Sequence, residues 1–315
     1  MSAMLVMMLA MAAPVPKGAN DGAIIIWVDD TLLQILPTGK VRAKSRIENQ
    51  AARDYGIALD RNLQFAVLDT AVDSQMFFQK RIAIQPLAGD AKPTVVADHE
   101  PIQIMLNDES NGVTFRVKAD NKLTSVYRYD IATAKVAKLP LPGDRVLNAV
   151  STDESKYLMS GFVAKDNLMA WRSILLTPDG KHESEVLAPH SVIDCASFSP
   201  SGNLMLSTAS VYKETIETAK ASYAVWGHLV DEMTIVDLTT KKRTVIDDTA
   251  FGRSSVALAW SPDSTKIAFV RLLKVNLPDG KSPIIFAIFV ADRDGGPPQE
   301  IFRIEALKLK SFQWR

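Results

Sequence analysis

The stretch AWSPDSTKIAFV, Ala259 to Val270, reads as a strand, a tight turn and a second strand. Proline presets the backbone for a turn, and an aspartate side chain can bond the backbone two residues on, so Ser261-Pro262-Asp263 is turn chemistry with a mechanism. Either this is one ordinary hairpin or it is one copy of a repeated unit, and the rest of the chain decides. FSPSGNLMLS (Phe198 to Ser207) matches WSPDSTKIAF (Trp260 to Phe269) position by position. VSTDESKYLM (Val150 to Met159) keeps the serine and aspartate and loses the proline. MLNDESNGVTF (Met105 to Phe115) and ALDRNLQFAV (Ala58 to Val67) are fainter copies. Successive copies fall roughly 45 to 60 residues apart, the period of propeller blades.

A second signal interleaves with the first: an apolar strand, a polar turn, and another strand. It occurs six times, near Gly39, Gly89, Thr133, Gly180, Thr240 and Gly295. Each copy adds a second hairpin to one copy of the first, giving units of four strands. The first unit lacks its front, since AIIIWVDD and LLQILPTGKVRAKSRI supply only later strands. The last residues, LKSFQWR, imitate the approach to Trp260 and Phe198 and stop where Ser-Pro-Asp would come. Ring closure follows as the economical expectation: the last strand completes the first blade and removes two sheet edges. Helical periodicity is confined to two short polar candidates, IENQAARDYG (Ile47 to Gly56) and KETIETAKA (Lys213 to Ala221).

Trp260-Ser261-Pro262-Asp263 followed by Lys266-Ile267-Ala268-Phe269 resembles the repeat of TolB-like (WD40-like) β-propellers, and Phe198-Ser199-Pro200 carries the same signature. The resemblance implies an all-β, six-bladed propeller of four-stranded antiparallel blades over roughly residues 22 to 315, in a family whose members are usually exported. In a departure from TolB, no separate N-terminal domain is expected, and no hydrolase domain like that of peptidase propellers is expected either. The repeated residues themselves read as scaffold: the aromatic wedges between blades and the Pro-Asp pair sets the turn.

Composition narrows the classes of function. The formal charge is zero, from 36 basic and 36 acidic side chains. A nucleic-acid binder draws its affinity from a basic excess, so no nucleic-acid partner is expected. Residues 4 to 13 are wholly apolar, too short to span a bilayer, and Ala10-Met11-Ala12 supplies the small residues of a cleavage site. Residues 1–19 are therefore expected to be a signal peptide and spacer, and residues 20–315 a single propeller, periplasmic or secreted, with no integral membrane segment. No Lys or Arg precedes the apolar run, so an upstream start or a retained N-terminus stays open. The single cysteine, Cys195, sits in the apolar run VIDCASFSP and reads as a buried, inert thiol.

In a propeller, the connectors that enter the inner strands share one face with the loops joining the middle strands, and that face usually carries function. The middle loops are unequal here. Val211 to His228 in the fifth blade and Leu273 to Pro283 in the sixth are longer than a hairpin needs, and the second blade has DTAVDSQMFFQK. The aromatic residues Tyr212, Tyr223, Trp226 and His228, with Phe77 and Phe78, form the expected contact surface for a protein or cell-envelope ligand. The competing reading has them capping blades or starting the next strand.

The inner strands DYGIALD, EPIQIML, VLNAVST, VIDCASF, SSVALAW and LKSFQW bring Asp54, Glu100, Asn148 and Asp194 toward the channel. With Asp144, the carboxylates Asp54, Glu100 and Asp194 make a candidate acidic mouth, a place for a divalent cation or for solvated turn residues alike. His99, His182, His190 and His228 show no zinc-protease spacing, and no nucleophile elbow, Walker loop or dinucleotide fingerprint occurs. The expectation is a monomeric binding scaffold without catalytic residues, cofactor or metal. The alternative is a propeller hydrolase or lyase working through the acidic mouth.

Overall fold

Short apolar runs, each broken by a turn within a dozen residues, leave the backbone one way to satisfy its hydrogen bonds, which is antiparallel pairing with sequence neighbours. The computed structural model describes residues 22–47, 56–59, 63–73, 76–87, 93–97, 101–106, 112–118, 124–165, 168–187, 191–212, 229–250, 255–274 and 283–315. The first blade contains β1 (Ile24–Val28), β2 (Thr31–Ile35) and β3 (Val41–Arg46). The second is β4 (Gly56–Leu59), β5 (Phe65–Asp73), β6 (Met76–Pro86) and β7 (Thr94–Ala97). The third is β8 (Pro101–Leu106), β9 (Gly112–Lys118), β10 (Thr124–Asp130) and β11 (Lys135–Leu139). The fourth is β12 (Val146–Val150), β13 (Tyr157–Lys165), β14 (Leu168–Leu176) and β15 (His182–Glu185). The fifth is β16 (Val192–Phe198), β17 (Leu204–Tyr212), β18 (Leu229–Asp237) and β19 (Arg243–Ala250). The sixth is β20 (Ser255–Trp260), β21 (Lys266–Lys274), β22 (Ile284–Asp292) and β23 (Gln299–Glu305), and the last strand is β24 (Leu309–Trp314).

These strands form six four-stranded antiparallel sheets, and β24 takes the inner place in the first, in the order β24-β1-β2-β3. The inner strands β4, β8, β12, β16, β20 and β24 touch in sequence, and β24 returns to β4, so the ring is closed. The fold is a six-bladed propeller. Register shows how the closure substitutes for a turn. Trp260 pairs with Ile267 and Phe198 with Met205 across their Ser-Pro turns, while Trp314 pairs with Ile24 with no turn between. Residues 47–56 and 213–221, the two helix candidates, lie almost wholly outside the described residues.

Each blade presents both faces to neighbours, so both phases of the strand beside the inner one are buried, as in β1 and β9. Ile24, Ile26 and Val28 pack against Ala268, Val270 and Ile288 of the sixth blade, while Ile25 and Trp27 pack against Leu59, Ala66 and Leu68 of the second. This explains why IIIWV is apolar without interruption. The remaining hydrophobic clusters likewise fall between adjacent blades. Trp260 is only 4% exposed, wedged among Leu206, Met233 and Ile235 of the fifth blade, and its Nε1 donates to the Ser197 carbonyl at 3.2 Å. Phe198 plays the same part between the fourth and fifth blades. The wedge role expected of these aromatics is what the packing displays.

The Ser-x-Asp turn is a side-chain network. The Ser261 hydroxyl donates to Asp263 at 2.6 Å and accepts the Lys266 N–H at 2.9 Å. Asp263 in turn accepts the Thr265 N–H at 3.0 Å and hydroxyl at 2.8 Å. The proline-free copy builds the same turn. Ser151 donates to Asp153 at 2.7 Å and accepts the Lys156 N–H at 2.9 Å. Glu154, Gly202 and Ser264 occupy one turn position, all with positive φ (55°, 69° and 59°). In the outer turns Gly180, at φ 78°, lies so close to the third blade that a Cβ would meet the Pro140 carbonyl oxygen at 2.1 Å.

These turns carry a pH signature. Donation from Ser261 and then Thr265 lowers Asp263 to about 2. Burial opposes ionisation at Asp153, yet the Ser151 and Ser155 donors outweigh it and bring that carboxyl also to about 2. Both folded values lie below the unfolded value of about 3.9, so their contribution is complete above about pH 4 and is lost as pH falls toward 2. The melting temperature should therefore fall over this window. The D153N/D263N double variant should show a shallower fall than the wild type, and identical slopes would remove these turns as its source.

Candidate functional site

The strand ends define two faces. On one lie the Ser-x-Asp turns and the outer turns. On the other lie the connectors entering β4, β8, β12, β16 and β20 and the ends of the two middle strands of each blade. Tyr212 ends β17 at this second rim, opposite Leu229, and the chain between them leaves and rejoins the blade there. Tyr223, Trp226 and His228 lie outside the described residues, as do Asp54, Glu100, His99 and His190. Phe77 and Phe78 belong to β6, not to a loop. The ladder between β5 and β6 continues up to the pair Asp73↔Met76, because Val, Met and Phe suit a strand better than a long open loop.

Asp144 and Asp194 are both exposed near the connector ends of the adjacent strands β12 and β16. Asp194 is the extra residue of a β-bulge in β16, and Asn148 is its counterpart in β12, accepting the Ser160 hydroxyl at 2.7 Å. Such bulges recur in all six inner strands, counting the pairing of β24 with β1. A bulge re-aims one side chain per strand at the channel-side edge. Among the described residues no three His, Cys, Asp or Glu side chains are grouped to hold a metal. Cys195 is half-buried, and burial, helped by the Asp194 charge, pushes its thiol up to about 11 against a weaker opposing bond to Thr208. That is a protonated, unreactive thiol at neutral pH.

At the turn face the inner strands leave a cavity of about 70 Å³ lined by Trp260, Pro262, Phe312, Trp314 and Arg315, among others. Ligand pockets for small organic molecules run to roughly 300–1,000 Å³, so this one holds a few waters. Binding capacity is better sought at the connector rim.

There the seam between the third and fourth blades holds a buried cation. Arg116, on β9, is 8% exposed, and burial lowers its pKa. Among the described residues its partners are neutral, Gln103 Oε1 at 3.3 Å and the Thr124 hydroxyl at 3.0 Å, and Nε has none. Thr124 donates onward to the Gly143 carbonyl at 2.6 Å, and Gln103 donates to the Leu147 carbonyl, which ties Arg116 to both sides of Arg145. These cations are not among the acids, histidines and aromatics expected from the sequence. Alternation was the available signal: in GVTFRVK the phase holding Val113, Phe115 and Val117 faces the second blade. Thr114 and Arg116 must then face the fourth blade rather than solvent.

No protein-family model matches the chain, and no curated protein is similar to it. Solved structures do share its architecture. The putative TolB from Agrobacterium tumefaciens superposes with a TM-score of 0.54 at 14% identity, over 93% of this chain and 94% of that one. TolB from Acinetobacter baumannii gives 0.57 at 12% identity, over 94% and 67%. In fold, the chain is similar to the TolB propellers. An oligogalacturonate lyase in complex with manganese is also similar, with a TM-score of 0.52 at 13% identity over 79% of this chain and 65% of that one. One TolB-like architecture thus serves proteins of different activity, and at these identities the likeness concerns the fold alone. No helix among the described residues is long and apolar enough to cross a membrane.

Proposed function

We propose that this TolB-like propeller is an exported, monomeric, non-enzymatic scaffold that binds a protein or cell-envelope ligand at its connector rim. The observation that carries the reading is the inequality of that rim. Strands β17 and β18 part at Tyr212↔Leu229 and strands β21 and β22 at Lys274↔Ile284, each with a long intervening segment. In the second blade, by contrast, only residues 74–75 separate β5 from β6. Long connections on a rigid framework are the usual carriers of recognition. Tyr212, Tyr223, Trp226 and His228, with Phe77 and Phe78, supply the anchors in this reading. Export rests on the apolar segment over residues 4–13.

The enzymatic alternative works through Asp54, Glu100, Asp144 and Asp194 at the channel mouth, and its support is the manganese-bound lyase among the similar folds. One experiment separates the two. Affinity capture from the native envelope is run with the intact chain, with a version shortened across Lys213 to Tyr223, and with D144N/D194N. Loss of a specific partner in the shortened version alone is expected. Equal recovery from the intact and shortened proteins would overturn the loop reading.

A further inference from the structure

We infer that the upper end of the seam between the third and fourth blades is an oxyanion-binding site built from Arg116, Arg145 and Arg172. Register places all three in one interface. Val126, Leu147, Met159 and Ile174 pack together between these blades. Arg116 is the cross-strand partner of Val126, so it lies on the face turned to the fourth blade. Arg145, Gly161 and Arg172 stand two residues from Leu147, Met159 and Ile174, and strand alternation puts them on the face turned to the third. Gly161 pairs with Arg172, and a Cβ on Gly161 would lie 3.1 Å from Arg145 Cγ. The missing side chain at Gly161 therefore leaves room for Arg145 to lie against the strand, next to the position paired with Arg172.

Among the described residues the charge at this end of the seam is not balanced. Glu185 accepts two bonds from Arg172 Nη1, at 2.5 and 2.7 Å, which accounts for one of the three cations. Among the described residues Arg116 meets only neutral acceptors and Arg145 has no carboxylate partner. Asp144, beside Arg145 in sequence, is exposed and forms no ion pair among the described residues. Buried donors without acceptors accumulate at this place: Nε of Arg116, Nε and Nη1 of Arg145, and Nε of Arg172. The lower end of the same seam shows what balance looks like. There Arg128 bonds Asp130 at 3.0 Å and also Glu154 across the blades, and although burial works against the charge, these carboxylates raise its pKa.

Uncompensated buried guanidinium groups are costly, and the planar forks of arginine match the two oxygens of a carboxylate or the face of a phosphate. A ligand bearing such an oxyanion supplies the missing acceptors by entering from the connector rim beside Arg145. This site stands independently of the long loops, so it survives or fails apart from the proposed scaffold role.

The test is thermal unfolding of the full chain with inorganic phosphate or with succinate, each at 10 mM and matched in ionic strength with chloride. A ligand present well above its Kd raises the melting temperature, here by at least about 3 °C. A response to phosphate alone, or to succinate alone, assigns the anion class; a response to both supports the shared site. Arg145→Gln should abolish the rise, measured against the variant's own melting temperature in chloride. Arg116→Gln should abolish it as well if the variant folds. Absence of any rise over the chloride control, or an undiminished rise in Arg145→Gln, would overturn the assignment.

Discussion

Removal of residues 309–315 is expected to unfold the whole ring and not merely fray one edge. Strand β24 is the inner strand of the first blade, paired with β1 over Ile24↔Trp314 to Val28↔Leu309. Its neighbours on either side are the inner strands β20 and β4. Phe312 and Trp314 pack on Ile24, Ile26, Ala268 and Val270, so the strand closes the seam between the sixth and first blades. On the other side Gln313 Nε2 donates to the Leu59 carbonyl at 2.5 Å, and Arg315 N–H donates to the Ala23 carbonyl at 2.9 Å. Lys310 also lies over the Trp27 ring, 4.9 Å from its centroid.

Deletion strips all of these together and leaves the inner edge of β1 open. Fully burying a large apolar side chain is worth about 1.5–3 kcal/mol; the partly buried Leu309, Phe312 and Trp314 each contribute a share of that, and the ladder bonds add to it. Against a typical total stability of about 5–15 kcal/mol, the loss is most of the margin. Circular dichroism of the truncated chain should show no cooperative melt. Adding the peptide 306–315 in trans should restore one at concentrations above its Kd. A truncated protein that melts cooperatively within about 5 °C of the intact chain would show that the ring does not depend on closure.

How far this could be read in advance depends on what each residue's signal reports. Ser261-Pro262-Asp263 and Ser199-Pro200 announce turns because the side chains themselves make the turn's bonds, so they stay legible in the weaker copy Ser151-Thr152-Asp153. The closing strand was legible because Trp314 repeats the approach to Trp260, and the register bears that equivalence out. The site was harder. Phe77 and Phe78 sit among polar residues in sequence and suggested a loop, yet strand pairing extends past them. Arg116 gave the opposite trouble: a polar residue in an alternating strand reads as solvent-facing, whereas a propeller blade has no solvent face along its middle strands. Only the pairing of blades turns that arginine inward. Acidic residues at the channel mouth carried no local signal for convergence, because that depends on how strands from separate blades are placed.

Trp260→Ala should be the most damaging single substitution among the repeat residues. The side chain is buried between two blades, and truncating a buried tryptophan costs about 3–5 kcal/mol through lost burial and the cavity left behind. The Nε1 bond to the Ser197 carbonyl is lost as well, leaving that carbonyl short of a donor from the next blade. For a chain of this length the melting temperature should fall by roughly 5–8 °C. Trp260→Phe keeps the wedge and loses only the bond, so it should fall by a smaller amount. The comparison distinguishes packing from hydrogen bonding at one position. It also tests whether the most recognisable residue of the repeat is scaffold. Trp260 borders only the small cavity at the turn face, far along the strand from the connector rim. Partner capture and the anion response, measured at a temperature where the variant is folded, should therefore match the intact protein. A stability loss under about 1 kcal/mol, or loss of either binding activity in the folded variant, would give Trp260 a role that wedging does not explain.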